Sequence, residues 1–429
     1  MATTIQMPFG QRTLHAVLPQ DATCFTLNIA QTKALTDPSG PLRAALHQPI
    51  GMDGPAMKGI RAGERVAFVV SDSFRHTAVA ELLPVLVAEL LKRGVRPSDI
   101  SFLVATGVHR PPTTDELRKI LGAEIHDRFG FQCFAHDPHD EDALLFVGNT
   151  SRGTPVWLNR RLFEADRIIL TGTVVMHYFA GFGGGRKSIV PGLAGERTIA
   201  ANHSLNLHPY RDTLNPDVQI GRMDGNPVAE DMAEAAHFAP VEFILNTVLN
   251  RDGRIAGIFL GDREAAHEAA CSFAASMYQV PLPRPAHLVI ASAGSATNFV
   301  QSHKALFNAY QALKPGGRIV FLTPSHEGLG ASGFRDWLGL RTPHAVMQRL
   351  RRHAEINGQT ALSTLEKAPS AVMVTDMDES EVHITGARKA ASLQVAIDLC
   401  LHELAGAGML NPSVCLMPSA SYTVPMLKP

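Results

Sequence analysis

The stretch from His177 to Gly192, HYFAGFGGGRKSIVPG, constrains this chain more than any other. Four of the five residues from Gly181 to Gly185 are glycine. That density is unfavourable in backbone entropy and unnecessary in an ordinary loop. The preceding segment, residues 166–175, reads as a strand that leads into it. A strand that opens into glycines and then Arg186, Lys187 and Ser188 predicts a loop whose backbone comes close to a bound group. Lys187 is the side chain placed to react with that group or cradle it. The loop is not a P-loop, which needs G-x-x-x-x-G-K-[ST], because Arg186 stands where the second glycine belongs. The same arginine breaks the dinucleotide fingerprint G-x-G-x-x-G. Free N–H groups and two cations still favour an anion.

A chain of 429 residues is too long for one core. Residues 1–30 alternate apolar and polar and predict one or two antiparallel strands joined by a turn at 19–21. Buried strands are expected at 66–70 and 100–105, near 131–135 and at 166–175. A hairpin is expected at 144–147 with 156–158, and helices at 41–47, 77–93, 114–121 and 196–207. The proline-rich run Pro281 to Pro285 reads as a linker. Beyond it come a strand at 287–292, a helix at 299–313 stopped by Pro315-Gly-Gly317, and a strand at 318–323. A helix at 341–353, a strand at 371–375 and a helix at 392–405 follow. Two α/β domains result, 1–275 and 276–429, each a mostly parallel or mixed sheet flanked by helices.

The net charge of -1 offers nothing for nucleic acid or an anionic membrane to recognise. No run reaches the roughly 18 apolar residues of a membrane span, and the N-terminus lacks the basic and apolar regions of a signal peptide. Five scattered cysteines without a CxxC pair predict a reduced, cytoplasmic protein.

In open α/β sheets ligands bind at the carboxyl ends of strands. Asp72, Arg75, His109, Arg110, His136, His139, His177 and Glu327 all fall at predicted strand ends, a clustering that predicts an enzyme. The run His136-Asp-Pro-His139-Asp140 reads as a loop with Asx-type hydrogen bonds. His203 lies on a predicted helix and is the metal ligand if there is one. Asn298, Gln301 and Lys304 share a helix face suited to a small carboxylate.

These residues resemble the nickel-dependent lactate racemase family over nearly the whole chain. The resemblance is strongest at Ala105-Thr-Gly-Val-His109-Arg-Pro111, at His177 to Gly192 and at Asn202-His203. The spacings from His177 to Lys187 and from Lys187 to His203 match the family. The resemblance implies a two-domain α/β fold with the active site in the cleft between the domains. It implies a nickel-pincer nucleotide cofactor (pyridinium-3,5-bisthiocarboxylic acid mononucleotide) held covalently by Lys187, with Asp72, Gly184, Gly185 and Arg186 around it. His203 is then the protein ligand to nickel, His109 and His177 the paired acid/base residues, and Arg75, Gln301 and Lys304 the substrate side. Proteins that build the cofactor are the implied partners, together with a small 2-hydroxy acid; no nucleic acid or membrane is implied.

The implied chemistry explains the set. The hydrogen on C2 of a 2-hydroxy acid leaves more easily as hydride if the hydroxyl proton is removed at the same moment. A 2-keto acid forms, reorients and takes the hydride back on its other face. Racemisation therefore needs two bases that titrate near neutrality. The chain departs from the family pattern at Ala296 and Val300, where aspartate and tyrosine are usual, and at Phe74, where threonine is usual. Those changes leave the reaction class in place and open the choice between lactate and another 2-hydroxy acid, racemised or epimerised. The alternatives are an NAD-type 2-hydroxyacid dehydrogenase and a non-catalytic protein that binds a ligand or the nickel cofactor.

Overall fold

The computed structural model describes residues 3–29, 31–211, 213–330, 333–352 and 355–427. Contacts divide the chain into two units. One comprises residues 31–209 and 214–276; the other comprises the residues before 31, a short segment at 210–213 and everything from 277 onward.

The first unit holds a six-stranded sheet in the order Ile255–Gly261, Val241–Leu249, Arg167–Thr173, Val66–Ser71, Ile100–Ala105, Cys133–Ala135. The strands are parallel except Ile255–Gly261, which is antiparallel to its neighbour. Strands covered on both faces need no polar alternation, and Val66 to Val70 are each buried. Phe68 stacks on Phe102 at 5.3 Å between ring centroids, and Phe102 meets Phe129 at 5.9 Å. The helix expected over 77–93 is shorter, Leu83–Lys92, because a proline stands in its first turn and a 3-10 turn, Val79–Glu81, precedes it. Helix Thr114–Leu121 starts on a capping box between Thr113 and Glu116. The hairpin Leu144–Asn149 with Pro155–Asn159 forms as expected. Helix Pro227–Ala236, strands Val241–Leu249 and Ile255–Gly261 and helix Ala265–Tyr278 follow without having been expected.

The second unit holds a six-stranded parallel sheet in the order Arg388–Lys389, Ala371–Val374, Leu313–Leu322, Ala286–Ser292, Ser413–Met417, Thr23–Thr26. An antiparallel hairpin, Thr3–Phe9 with Arg12–Leu18, covers one face. Its Ile5, Met7, Ala16 and Leu18 join Leu288, Ile290, Val320, Ile397 and Cys400 in one core.

Three expectations change. Thr23–Thr26 pairs with Ser413–Met417, not with the hairpin, so the first residues belong with the C-terminal unit and not with the domain expected over 1–275. Strand partners so far apart in sequence leave no local pattern. The run expected as a linker carries strand Gln279–Leu282, parallel to Val424–Leu427. Proline is tolerated in this two-stranded ribbon because every strand in it is an edge. Pro315-Gly-Gly317 lies inside strand Leu313–Leu322, whose pairing shifts register there.

One buried carboxylate joins several elements of the first unit. Asp231, on helix Pro227–Ala236, accepts from Thr150 Oγ1 at 2.5 Å, Thr154 Oγ1 at 2.9 Å and Asn202 Nδ2 at 2.9 Å. Replacing Asp231 with alanine strands three buried donors, each costing about 1–3 kcal/mol. Urea unfolding of Asp231→Ala is expected to show a loss of about 3 kcal/mol or more; a loss within about 0.5 kcal/mol, the scale of an ordinary surface change, contradicts this role.

Candidate active site

The order of the first sheet reverses at Val66–Ser71. From it the chain steps one way to Ile100–Ala105 and Cys133–Ala135, then returns to the other side at Arg167–Thr173. Such a switch point opens a crevice at the strand carboxyl ends. Asp72, His109, His136 and His177 follow these four strands.

Asp72 is buried, and its Oδ2 lies 2.6 Å from His109 Nδ1. A carboxylate only accepts, so Nδ1 carries the proton of this bond, and the lone pair of a neutral ring is then on Nε2. Asp72 Oδ1 has no partner. Asp72, expected at the cofactor, thus spends one oxygen on orienting His109. The His109 loop is pinned by the Gly107 amide, which donates to the Gly192 carbonyl at 2.9 Å. Arg75 is exposed, with its amide closing a turn onto the Asp72 carbonyl.

His177 is held the other way. Its Nδ1 accepts from the Ala180 amide at 3.2 Å and the Phe179 amide at 3.4 Å. The proton of a neutral His177 therefore sits on Nε2. The ring is buried, stacked on Tyr178 and edge-on to Phe179. Phe179 in turn meets the His203 ring at 5.4 Å.

The glycines that follow are required, but what approaches three of them is the protein itself. A Cβ at Gly181 would lie 2.2 Å from the Arg222 carbonyl oxygen, one at Gly184 2.2 Å from Asn246 Oδ1, and one at Gly185 2.7 Å from His267. All three have positive φ. The Gly185 amide donates to Asn246 Oδ1 at 3.0 Å, so that N–H is already used. Arg186 is a different case. Its Nη2 donates to the Ala180 carbonyl at 2.8 Å, while Nε and Nη1 have no partner although buried. Burial pulls its pKa down to about 10. A buried guanidinium with two unused donor nitrogens has the chemistry to pair with an anion.

Lys187 lies in the 3-10 turn Gly185–Ser188. His203 is buried on helix Glu196–Ser204. Its pKa is pushed down to about 3, by burial first and then by the charge of Lys187, so the two are neighbours and the imidazole stays neutral. A neutral imidazole is the form that binds a metal. Among the described residues no group of three or more His, Cys, Asp or Glu could hold a metal ion together. His136 is structural: its ring bonds to the Ala194 carbonyl at 3.0 Å and to Asn159 at 3.0 Å. The Asp137 side chain accepts from the His139 amide, the expected Asx turn.

In the second unit Asn298 caps helix Phe299–Gln311 by accepting from the Gln301 amide at 3.0 Å. The Gln301 side chain accepts from Thr297, so it too serves the helix start. Glu327 accepts from Thr297 Oγ1 at 2.7 Å, a bond that lowers its pKa. Lys304, partly buried, stands one turn on from Gln301. Sequence reasoning missed Asn246 and His267. Asn246 sits in the apolar run Val241–Leu249, where a buried amide was a readable signal; His267 carried none.

A family model described as the lactate racemase N-terminal domain matches residues 9–214. The chain is 30% identical over 353 residues to a lactate racemase of Thermoanaerobacterium thermosaccharolyticum, covering 81% of this chain and 80% of that one. It is 32% identical over 336 residues to a lactate racemase of Lactiplantibacillus plantarum, covering 77% of each. The solved lactate racemase apoprotein from T. thermosaccharolyticum matches with a TM-score of 0.87 at 26% identity, over 99% of this chain and 100% of that one. A Thermotoga maritima protein, at 19% identity and a TM-score of 0.69 over 93% of this chain and 100% of that one, shares the fold.

The buried histidines set an acid limit on stability. Burial holds His203 at about 3, His267 at about 4 and His303 at about 3, against an ordinary 6.5. Below 6.5 the unfolded chain takes up protons that the folded chain refuses, so stability is full above that pH and declines as pH falls toward 4. The urea midpoint is expected to drop steadily between about pH 7 and about pH 4.5, and less steeply in His267→Gln. Equal slopes for both proteins contradict the assignment.

Proposed function

This chain belongs to the lactate racemase family and is an isomerase of the racemase type, and from that premise we propose that it inverts C2 of a 2-hydroxy acid, lactate or a related one. The observation that carries the reading is the pair of histidines that follow the two strands on either side of Val66–Ser71, His109 with Nδ1 on a carboxylate and His177 with Nδ1 accepting from two amides. His109, oriented by Asp72, offers a lone pair at Nε2 and takes the hydroxyl proton. His177 presents Nε2–H, which holds the oxygen on the other side of the exchange and gives it that proton as the alcohol re-forms. The proton taken by His109 then replaces it on His177, so that the pair ends as it began and runs the other way for the opposite enantiomer.

The family's nickel-pincer nucleotide fits the residues present. Arg186 has two buried nitrogens, Nε and Nη1, whose N–H groups suit a phosphate, and His203 is a neutral imidazole that feels the charge of Lys187. His203 would hold the nickel and Lys187 the covalent link, with Arg186 and the Gly184–Gly185 turn against the nucleotide. When bound, the group supplies a site that takes the hydride from C2 and gives it back. Arg75, Gln301 and Lys304 enter as substrate contacts on the family pattern. The buried Phe179 and the half-buried Tyr178 pack against His177 and limit the access of water to the proton it holds. The five cysteines are unbridged, which supports a reducing, cytoplasmic setting, with cofactor-building proteins as partners.

Protein matured with nickel and the cofactor-building proteins is expected to convert a single enantiomer of lactate, or of another 2-hydroxy acid, to the racemate without net ketone, read by chiral chromatography. Unchanged optical composition across a panel of such acids would sink the proposal. Intact mass is expected to show an adduct that Lys187→Ala loses. His109→Ala and His177→Ala should each keep the adduct and lose racemisation, by roughly a hundredfold or more for a general base. Asp72→Asn leaves His109 without its carboxylate, and its turnover is expected to fall while the adduct persists.

A further inference from the structure

We propose that Phe74 is the wall against which the C2 substituent of the substrate rests, and that this chain favours 2-hydroxy acids whose side chain is apolar and larger than methyl. The inference rests on the reading of His109 as the base. Phe74 is 48% exposed, a large ring left open beside a polar residue that must meet substrate. Its centroid lies 4.7 Å from that of the His109 ring, tilted by 50°. The ring is also fixed. The Arg110 guanidinium lies over it at 5.3 Å, and Arg110 is itself held by Glu116 through two bonds of 2.6 Å. Glu116 is further tied to the Thr113 amide at 2.8 Å. A ring clamped by two neighbours presents a rigid apolar surface, not a mobile side chain that happens to be solvated.

Distance then decides what the surface can touch. A substrate hydroxyl bonded to His109 Nε2 puts C2 one bond further out and its substituent one bond beyond that. A substituent placed there can reach a ring whose centroid stands 4.7 Å from that of His109. A methyl group covers little of a phenyl face. A phenyl or branched alkyl group can pack on it in an offset or edge-to-face arrangement and remove it from water. Each methylene buried in an apolar pocket is worth roughly tenfold or more in kcat/KM.

The test compares lactate and phenyllactate on matured holoenzyme, wild type, Phe74→Leu and Phe74→Thr, by initial racemisation rates. Wild type is expected to favour phenyllactate by roughly tenfold or more in kcat/KM. That ratio is expected to fall by roughly tenfold in Phe74→Thr, through KM more than kcat, with Phe74→Leu between. A wild-type ratio near one, or a ratio unchanged in Phe74→Thr, overturns the inference. So does an equal loss for both acids with a displaced pH–rate profile, which makes Phe74 a positioning residue for His109. Calorimetric binding of the two acids to the same preparations separates this from the proposed function. Phe74-dependent preference for phenyllactate without any racemisation keeps the wall and removes the racemase reading; neither turnover nor such preference removes both.

Discussion

A buried carboxylate held by uncharged donors organises the part of the fold that carries the site. Asp231 is wholly buried and is met by two hydroxyls and an amide. A bare buried charge is costly, and three well-placed donors are what make it tolerable. Those donors come from the hairpin turn at Thr150 and Thr154 and from Asn202, the residue before His203. The same helix begins at Asn226, whose Nδ2 donates to the Phe179 carbonyl at 2.9 Å. Helix Pro227–Ala236 therefore locates both His203 and the loop that carries His177, although it holds none of the chemistry.

Much of this was legible in the sequence, for reasons that can be named. Strands buried on both faces announce themselves as apolar runs, and Val66–Ser71 and Ile100–Ala105 were found that way. Their ends then marked Asp72, His109 and His177 without any knowledge of the fold. What stayed hidden depended on distant partners. Thr23–Thr26 has an ordinary local pattern, and its place beside Ser413–Met417 is fixed only by the completed sheet. The bond between Asp72 and His109 joins two loops on adjacent strands and leaves no spacing signature. The glycines were read as room for a bound group; on the side where a Cβ would stand, Arg222, Asn246 and His267 approach three of them.

The charge around the loop is uneven in a useful way. The chain as a whole is nearly neutral. Around the glycine loop, however, Arg186 keeps two donors unused, Lys187 adds a second cation, and His203 and His267 are held neutral. The acidic groups nearby are already engaged, Asp72 with His109 and Asp231 with its three donors. An anion arriving here meets the unpartnered donors of Arg186 in surroundings where water screens charge weakly.

The opposite tautomers of His109 and His177 have a consequence for how such a site treats mirror images. The two hands of a free hydroxy acid have equal energy, so racemisation has an equilibrium constant of unity whatever the protein does. A protein made of L-residues cannot be its own mirror image, and here the inequality is visible: one ring leans on a buried carboxylate, the other on two backbone amides. Any tighter hold this gives on one enantiomer must return as slower turnover of that same enantiomer, because kcat/KM must match in the two directions. The asymmetry of the pair thus governs how saturation and speed are divided between the two hands, and leaves the final mixture untouched.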